Sequence, residues 1–384
     1  MKWVTRERGL FSRFLGGGAA LLPPGRGRPV DCGRSAGLRA MRGRRPVVKV
    51  ARLGLAGLGL AALAVGCQRS SPEVVVYTSE DQVFSEPILK DFEKISGIKV
   101  RAVYDTEETK STGVALRIVA ERDHPQADVF WANEPLRPVM LQQQGLLEAY
   151  RSPSADDIPG RYRDPDGHWT GFAARARVIL YNTNEVKAGE APSSVRDLVD
   201  PRWKGRTGLA NPLFGTTTTQ VAALVALWGE PATKKFLDGI KANGVKFVTS
   251  NGEAKDLVAS GELAWAFTDT DDASEAVEQH KPVAVVYPDQ TGIGTLVMPN
   301  AVALVKGAPH SDPAKKLIDY LLSRQVEEKL AKSTAAQMPL HPNVPVPPNV
   351  KPVSTIKDMA VTYPTLGKTI DQILPYLRQW SGAG

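Results

Sequence analysis

The sequence predicts an α/β protein in two lobes, each built on a largely parallel sheet. Three observations predict it. The span from Cys67 to Gly384 is longer than one hydrophobic core comfortably holds. Strand-like and helix-like segments alternate along that span, once before and once after residue 178, the pattern of a parallel sheet with helices on its faces. Several strand candidates are continuously apolar, as strands buried on both faces are.

The elements follow in order. Val74–Tyr77 reads as a buried strand, and Phe84, Ile88, Leu89, Phe92 and Ile95 recur at helical spacing before Gly97, a C-terminal cap. Ile98–Tyr104 is a strand. A helix begins near Ser111 and leads to the strand Ala127–Trp131. Trp169–Tyr181 contains the strand-like run Val178–Tyr181. In the second block, Thr216–Trp228 and Pro231–Asn243 are helices stopped by Gly229 and Gly244. Lys246–Thr249, Leu263–Phe267, Val283–Tyr287 and Gly294–Val305 are strands. Ser311, Asp312 and Pro313 open a helix with a cap residue and a proline in its first turn. The Pro-rich stretch Pro339–Pro352 is a surface connector, and an amphipathic helix follows it. The expected boundaries are a leader over 1–66, a tether over 67–73, a discontinuous first lobe of 74–177 plus 286–384, and a second lobe of 178–285.

The leader controls the bulk numbers. Leu53 to Gly66 is an apolar run preceded by Arg42, Arg44, Arg45, Lys49 and Arg52. It is shorter than the roughly 20 residues that span a bilayer and has the charged head and small-residue exit of a secretory signal. The exit Ala-Val-Gly-Cys resembles a bacterial lipobox, which implies cleavage before Cys67 and acylation of its thiol; the usual Leu stands one place early, at Leu63. Met41 is the expected true start. The chain carries a formal +7, but the first 66 residues hold 13 of its 48 basic and 2 of its 41 acidic side chains. From Cys67 onward the balance is therefore −4, and no basic stripe with interleaved aromatics argues for nucleic acid. Cys32 and Cys67 are the only cysteines, so the mature domain has no internal disulfide, thiolate metal site or cysteine redox chemistry.

Two groups of residues carry chemistry. Thr268-Asp269-Thr270-Asp271-Asp272 places three carboxylates in four residues; one suffices to cap the helix that begins near Ala273, so Asp271 and Asp272 are candidates for a hard cation or an ammonium group. Phe214-Gly215-Thr216-Thr217 opens a helix, where backbone N–H and hydroxyl donors suit an anion. Thr109–Gly113 is a similar helix start. Arg175 and Arg177 offer charge-assisted bonds to carbonate, carboxylate or phosphonate. Trp131 and Trp265 are core or cleft-wall residues, with an organic cation as the alternative use of their faces. The five histidines have no ligand-like spacing.

Short landmarks in a consistent order carry a resemblance: Val-Tyr-Thr-Ser (76–79), Ser-Gly-Ile-Lys-Val (96–100), Ala-Asp-Val-Phe (127–130), Gly-Phe-Ala-Ala-Arg-Ala-Arg-Val (171–178), Asp-Pro-Arg-Trp-Lys-Gly-Arg (200–206) and Tyr-Pro-Asp-Gln-Thr-Gly-Ile-Gly-Thr (287–295). Over nearly all of residues 73–345 the chain resembles the extracellular solute-binding proteins of ABC importers, within them the ferric-ion-binding group. The resemblance implies the periplasmic-binding-protein fold, two α/β lobes joined by crossing strands with the ligand between them, and hinge closure on binding. It implies a ligand set as well. The family's histidine after the first strand falls on Asp81, its tandem tyrosine pair on Asp271 and Asp272, and a further tyrosine matches at Tyr181; the threonine loop takes a synergistic anion.

The expected function is that of a lipid-anchored periplasmic binding protein. It would act as a monomer that captures a small solute and delivers it to an ABC permease and its ATPase, with no nucleic-acid partner, no reaction of its own, and the membrane touched only through Cys67. One ligand is Fe(III) or another metal on Asp81, Tyr181, Asp271 and Asp272, with carbonate or phosphate on Gly215, Thr216, Thr217, Arg175 and Arg177. The other is an aminoalkylphosphonate or polyamine-like amine held by the same carboxylates. An exported carboxylate-dependent hydrolase is a distant third: beyond Gly66 there is no Gly-x-Ser-x-Gly elbow, His-Glu-x-x-His or Walker loop.

Overall fold

The computed structural model describes residues 71–105 and 113–382. The leader, Met41, Cys67 and the stretch from Thr109 to Thr112 lie outside them. Among the described residues no helix is long and apolar enough to cross a membrane.

The chain opens with β1 (Glu73–Thr78), α1 (Gln82–Ser96), β2 (Lys99–Tyr104), α2 (Gly113–Ala120), β3 (Val129–Ala132), α3 (Leu136–Gln143) and β4 (Leu147–Glu148). The long strand β5 (Thr170–Asn182) leads to β6 (Thr207–Ala210), α4 (Gly215–Trp228), α5 (Glu230–Ala242), β7 (Lys246–Val248), α6 (Asn251–Ala259), β8 (Trp265–Asp269), α7 (Thr270–Glu278) and β9 (Val283–Val286). The return is β10 (Val297–Val305), α8 (Ser311–Leu321), α9 (Arg324–Lys332) and α10 (Tyr363–Ser381).

The strand order is β2-β1-β3-β10-β5-β8-β6-β7, with β4 added to β10 and β9 to β5. β1 runs parallel to β2 and β3, and β6 runs parallel to β7 and β8. The middle is antiparallel: β10 against β3 and β5, and β5 against β8 and β9. The sheets are thus mixed rather than largely parallel, because β5 runs from one half of the strand order into the other and β10 lies antiparallel to both β3 and β5. β5 makes the crossing. Through Ala176 it pairs with β10, and from Arg177 it pairs with β8. All of its 13 residues are buried, which is why the sequence from Gly171 to Tyr181 is apolar apart from its two arginines.

A bulge on β5 aims the functional side chains. The register with β10 slips between Pro299 and Asn300, and Ala173 takes a left-handed φ of 44°. The backbone groups that the bulge frees are satisfied by buried side chains: Ala173 N–H donates to Glu327 at 2.8 Å, and the Ala173 carbonyl accepts from Asn300 Nδ2 at 2.7 Å. Two and four residues on, Arg175 and Arg177 share one face of the strand.

α1 starts two residues before the first predicted apolar position and ends, as predicted, on Gly97 at φ 70°. α8 is capped at His310 rather than by Ser311, which lies inside the helix. α3, the short β4, β6, α6 and α9 have no counterpart in the sequence reading. The C-terminal helix α10 does more than follow a connector. Its first half buries Tyr363, Leu366 and Ile370 in one apolar core, and its second half buries Ile373, Leu377 and Trp380 in another. Thr369 Oγ1 donates to the Ala222 carbonyl on α4 at 3.3 Å, and Gly367 lies close against Val139 on α3. One helix therefore ties elements that precede β5 to elements that follow it.

Candidate functional site

The ends of several elements meet at a cleft of about 360 Å³. From before the crossing come Asp81 with the start of α1, and Asn133 after β3. From after it come Gly215 and Thr216 at the start of α4, Asn251 at the start of α6, and Asp269, Asp271 and Asp272 around the start of α7. Arg175 of β5 lies between the two groups. The N-termini of α1, α4, α6 and α7 all contribute lining residues. The first N–H groups of a helix lack intrahelical partners and carry a partial positive charge.

α4 is the clearest anion end. Its N-cap residue is Phe214, which has no capping side chain, so the first amides of the helix stay available. Gly215 enters the helix at φ 57°, with no heavy atom within 4 Å of where a Cβ would stand. Glycine is needed there for the backbone conformation rather than for space. Of the predicted threonines only Thr216 reaches the cleft. Thr217 is buried and accepts from Arg177 Nη2 at 3.2 Å, so its expected place among the anion contacts is corrected.

Arg177 is corrected for the same reason. It is fully buried and does not line the cleft. Its Nη1 donates to Asp269 Oδ1 at 2.8 Å, Thr216 Oγ1 at 3.0 Å and Asn251 Oδ1 at 3.1 Å. Asp269 Oδ2 accepts from Thr216 Oγ1 at 2.6 Å and from Asn251 Nδ2 at 2.9 Å. This knot fastens β5, β8 and the starts of α4 and α6 to one another. It also answers the capping alternative: Asp269 occupies the N-cap of α7 yet makes no capping bond, because its oxygens are already used.

Asp271 and Asp272 stand in the first turn of α7, which begins at Thr270, earlier than predicted. Carboxylate oxygens of Asp269, Asp271 and Asp272 lie within 4.8 Å of one another. Asp272 N–H donates to Asp271 Oδ1 at 3.1 Å, and Thr268 Oγ1 donates to Asp272 Oδ2 at 3.4 Å. Asp81 lines the opposite wall. Glu275 at the rim is paired with Lys255 at 2.6 Å.

Arg175 is 2% exposed and bridges the walls: Nη1 lies 2.7 Å from Asp271 Oδ2 and Nη2 lies 2.6 Å from Glu80 Oε2. Burial acts to lower its pKa, but the Coulombic pull of Asp271 and Glu80 outweighs burial, so the guanidinium is held more firmly charged than usual. Glu80, which the sequence reading missed, is itself fixed by Gln337 Nε2 at 2.7 Å; Gln337 Oε1 accepts from Asn300 at 2.8 Å. A glutamate beside Asp81 carries no sequence signal of burial.

Tyr181 does not converge with the carboxylates. It pairs with Trp265 and Ala284 and packs in an apolar core, four residues along β5 from Arg177, about 13 Å at strand spacing. A phenol on the core face of a strand has no route to the cleft, so Tyr181 leaves the ligand set. Trp131 and Trp265 are fully buried; Trp131 Nε1 donates to Asn300 Oδ1 at 3.2 Å, and neither face meets the cleft.

The assembled chemistry is of two signs. Asp81, Asp271 and Asp272 offer hard oxygen donors or ammonium acceptors, while Gly215, Thr216 and the amides of α4 offer an anion seat. Comparison with known proteins fits such a site. The family described as bacterial extracellular solute-binding protein matches residues 125–359. Iron uptake protein A1 of Synechocystis is 29% identical over 310 residues, covering 78% of this chain and 84% of that protein. The major ferric iron-binding protein of Neisseria meningitidis serogroup B is 26% identical over 315 residues, covering 80% and 93%. A Salmonella typhi periplasmic protein named for 2-aminoethylphosphonate binding is 27% identical over 294 residues, covering 74% and 83%. Iron-bound HitA from Pseudomonas aeruginosa superposes with a TM-score of 0.73 at 25% identity, covering 80% and 99%.

Proposed function

This chain belongs to the bacterial extracellular solute-binding proteins, and from that premise we propose that it captures a small ligand presenting a positive centre together with an anionic group. The observation that carries this is a single cleft with Asp81, Asp271 and Asp272 on its walls and the uncapped start of α4 between them. A role in solute binding outside the cytoplasm is the family's. Delivery to an ABC permease and its ATPase, action as a monomer, a lipid on Cys67 and the absence of any reaction complete the reading.

The leading ligand is Fe(III) or another metal ion accompanied by carbonate or phosphate. Carboxylate oxygens suit a hard cation, the anion would take the amides of Gly215 and Thr216, and relatives are named for ferric iron. The metal donors are Asp81, Asp271 and Asp272, without Tyr181. The second reading is an aminoalkylphosphonate, its ammonium on the carboxylates and its phosphonate on α4. It is favoured by Arg175, which already occupies one side of Asp271 and leaves less carboxylate for a metal, and by the Salmonella relative.

A thermal-shift screen of metal-stripped residues 68–384 tests the reading. A ligand that binds only the folded state at 100 times its Kd adds about 2.7 kcal/mol. The expected result is a higher Tm with Fe(III) plus carbonate or phosphate, lost in Asp271→Ala. A shift with 2-aminoethylphosphonate or a polyamine alone replaces the metal with the amine. No shift with any of these refutes the two-sign cleft.

A further inference from the structure

Arg175 lines the cleft with its guanidinium engaged by two protein carboxylates. Its guanidinium cannot leave: Glu80 and Asp271 hold it at 2.6 and 2.7 Å, and Glu80 is anchored by Gln337, which is anchored by Asn300. Its Nε is buried with no hydrogen-bond partner, so the side chain is kept by its two carboxylates and not by a full set of bonds. Asp271 lines the cleft after the crossing, Glu80 is buried before it beside the lining residue Asp81, and Arg175 stands on the strand between them.

We propose that Arg175 is a specificity-determining residue: a resident cation that shares Asp271 with the ligand and thereby restricts the cleft to ligands of low net charge. The proposal rests on the reading of this cleft as the ligand site. The physics is Coulombic. A fixed positive charge in the wall repels an incoming cation in proportion to the cation's own charge, so a bare trivalent ion suffers most. A metal partly neutralised by its anion suffers less, and a zwitterion whose phosphonate balances its ammonium suffers least. Arg175 would then be the reason that an anion must accompany a metal, whether as a separate ion or as part of the same molecule. At an effective dielectric near 20–40, one unit charge a few Å away changes affinity by about tenfold or more for each unit of ligand charge.

The test is a charge series measured on residues 68–384 by calorimetry: Tb(III), Mn(II), Fe(III) with carbonate, and 2-aminoethylphosphonate. Arg175→Gln is expected to tighten Tb(III) by about a thousandfold, Mn(II) by about a hundredfold and Fe(III) with carbonate, which keeps a net +1, by about tenfold, and to leave 2-aminoethylphosphonate within about threefold. Arg175→Lys keeps the charge and should keep the wild-type order. Because Arg175→Gln takes the counter-charge from two buried carboxylates and can fail to fold, Glu80→Gln/Arg175→Gln is the companion variant. It removes one charge of each sign and uncovers the side of Asp271 that Arg175 occupies, so it should tighten Tb(III) and Mn(II) in the same order but by less than the single variant. Equal changes for all four ligands, or weaker Tb(III) binding, would show a purely structural arginine and overturn the proposal. Wild-type protein that binds none of the four overturns the reading of the cleft itself, and this proposal with it.

Discussion

Arg177→Met is expected to lower the unfolding free energy by about 3–5 kcal/mol, the usual cost of removing one partner from a buried ion pair. Asp269 is 2% exposed, and without the guanidinium its carboxylate keeps only Thr216 and Asn251. The loss reaches the cleft too, because the same knot sets the starts of α4 and α6. Guanidinium denaturation measures it, with ligand affinity read in parallel. The double variant Arg177→Met/Asp269→Leu removes the charge that the single variant strands, and should recover much of the stability but not the ligand affinity. A single variant within 1 kcal/mol of wild type would show that the knot is not what holds these helix starts.

Deletion of α10 is expected to prevent folding altogether. The helix buries Leu366, Ile370, Ile373, Leu377 and Trp380 at 7% exposure or less. At roughly 1.5–3 kcal/mol for each fully buried side chain, about 8–15 kcal/mol is at stake, as much as the whole stability of an ordinary domain. Point variants grade the effect: Ile373→Ala should cost about 2–5 kcal/mol. Circular dichroism of the chain truncated after Val361, compared with the full mature domain, decides it. A truncated chain that melts cooperatively near the wild-type Tm would show that α10 is an appendage and not a tie between the two cores.

Much of the architecture was legible in the sequence for simple reasons. Val74–Tyr77 of β1, β3 and Val178–Tyr181 of β5 are unbroken apolar runs, and Gly97 and Gly229 follow the last periodic residues of their helices. The acidic segment before α7 and the Gly-Thr start of α4 were legible as chemistry, because three carboxylates in four residues and an uncapped helix start are local patterns. What the sequence hid was long-range. Arg175 and Arg177 stand two residues apart on one strand face and look interchangeable, yet one reaches the cleft and the other is locked to Asp269. Only the three-dimensional neighbours, Glu80 and Asp271 for the first and Thr216, Asn251 and Asp269 for the second, separate them. Tyr181 matches a family position locally, whereas the path of the strand carries it four residues away from Arg177 into a core. The crossing by β5 and the double attachment of α10 likewise depend on pairings between distant segments, which no local periodicity reports.

The most direct test is a calorimetric titration of metal-stripped residues 68–384 with Fe(III) plus carbonate and, separately, with 2-aminoethylphosphonate. Wild-type protein is compared with Asp271→Ala/Asp272→Ala. The two-sign cleft predicts stoichiometric binding of one of these ligands by the wild type, and a loss of about a hundredfold or more in the double variant, because two charge-assisted contacts are removed. Equal affinity in wild type and variant would place the ligand elsewhere and contradict the assignment of this cleft.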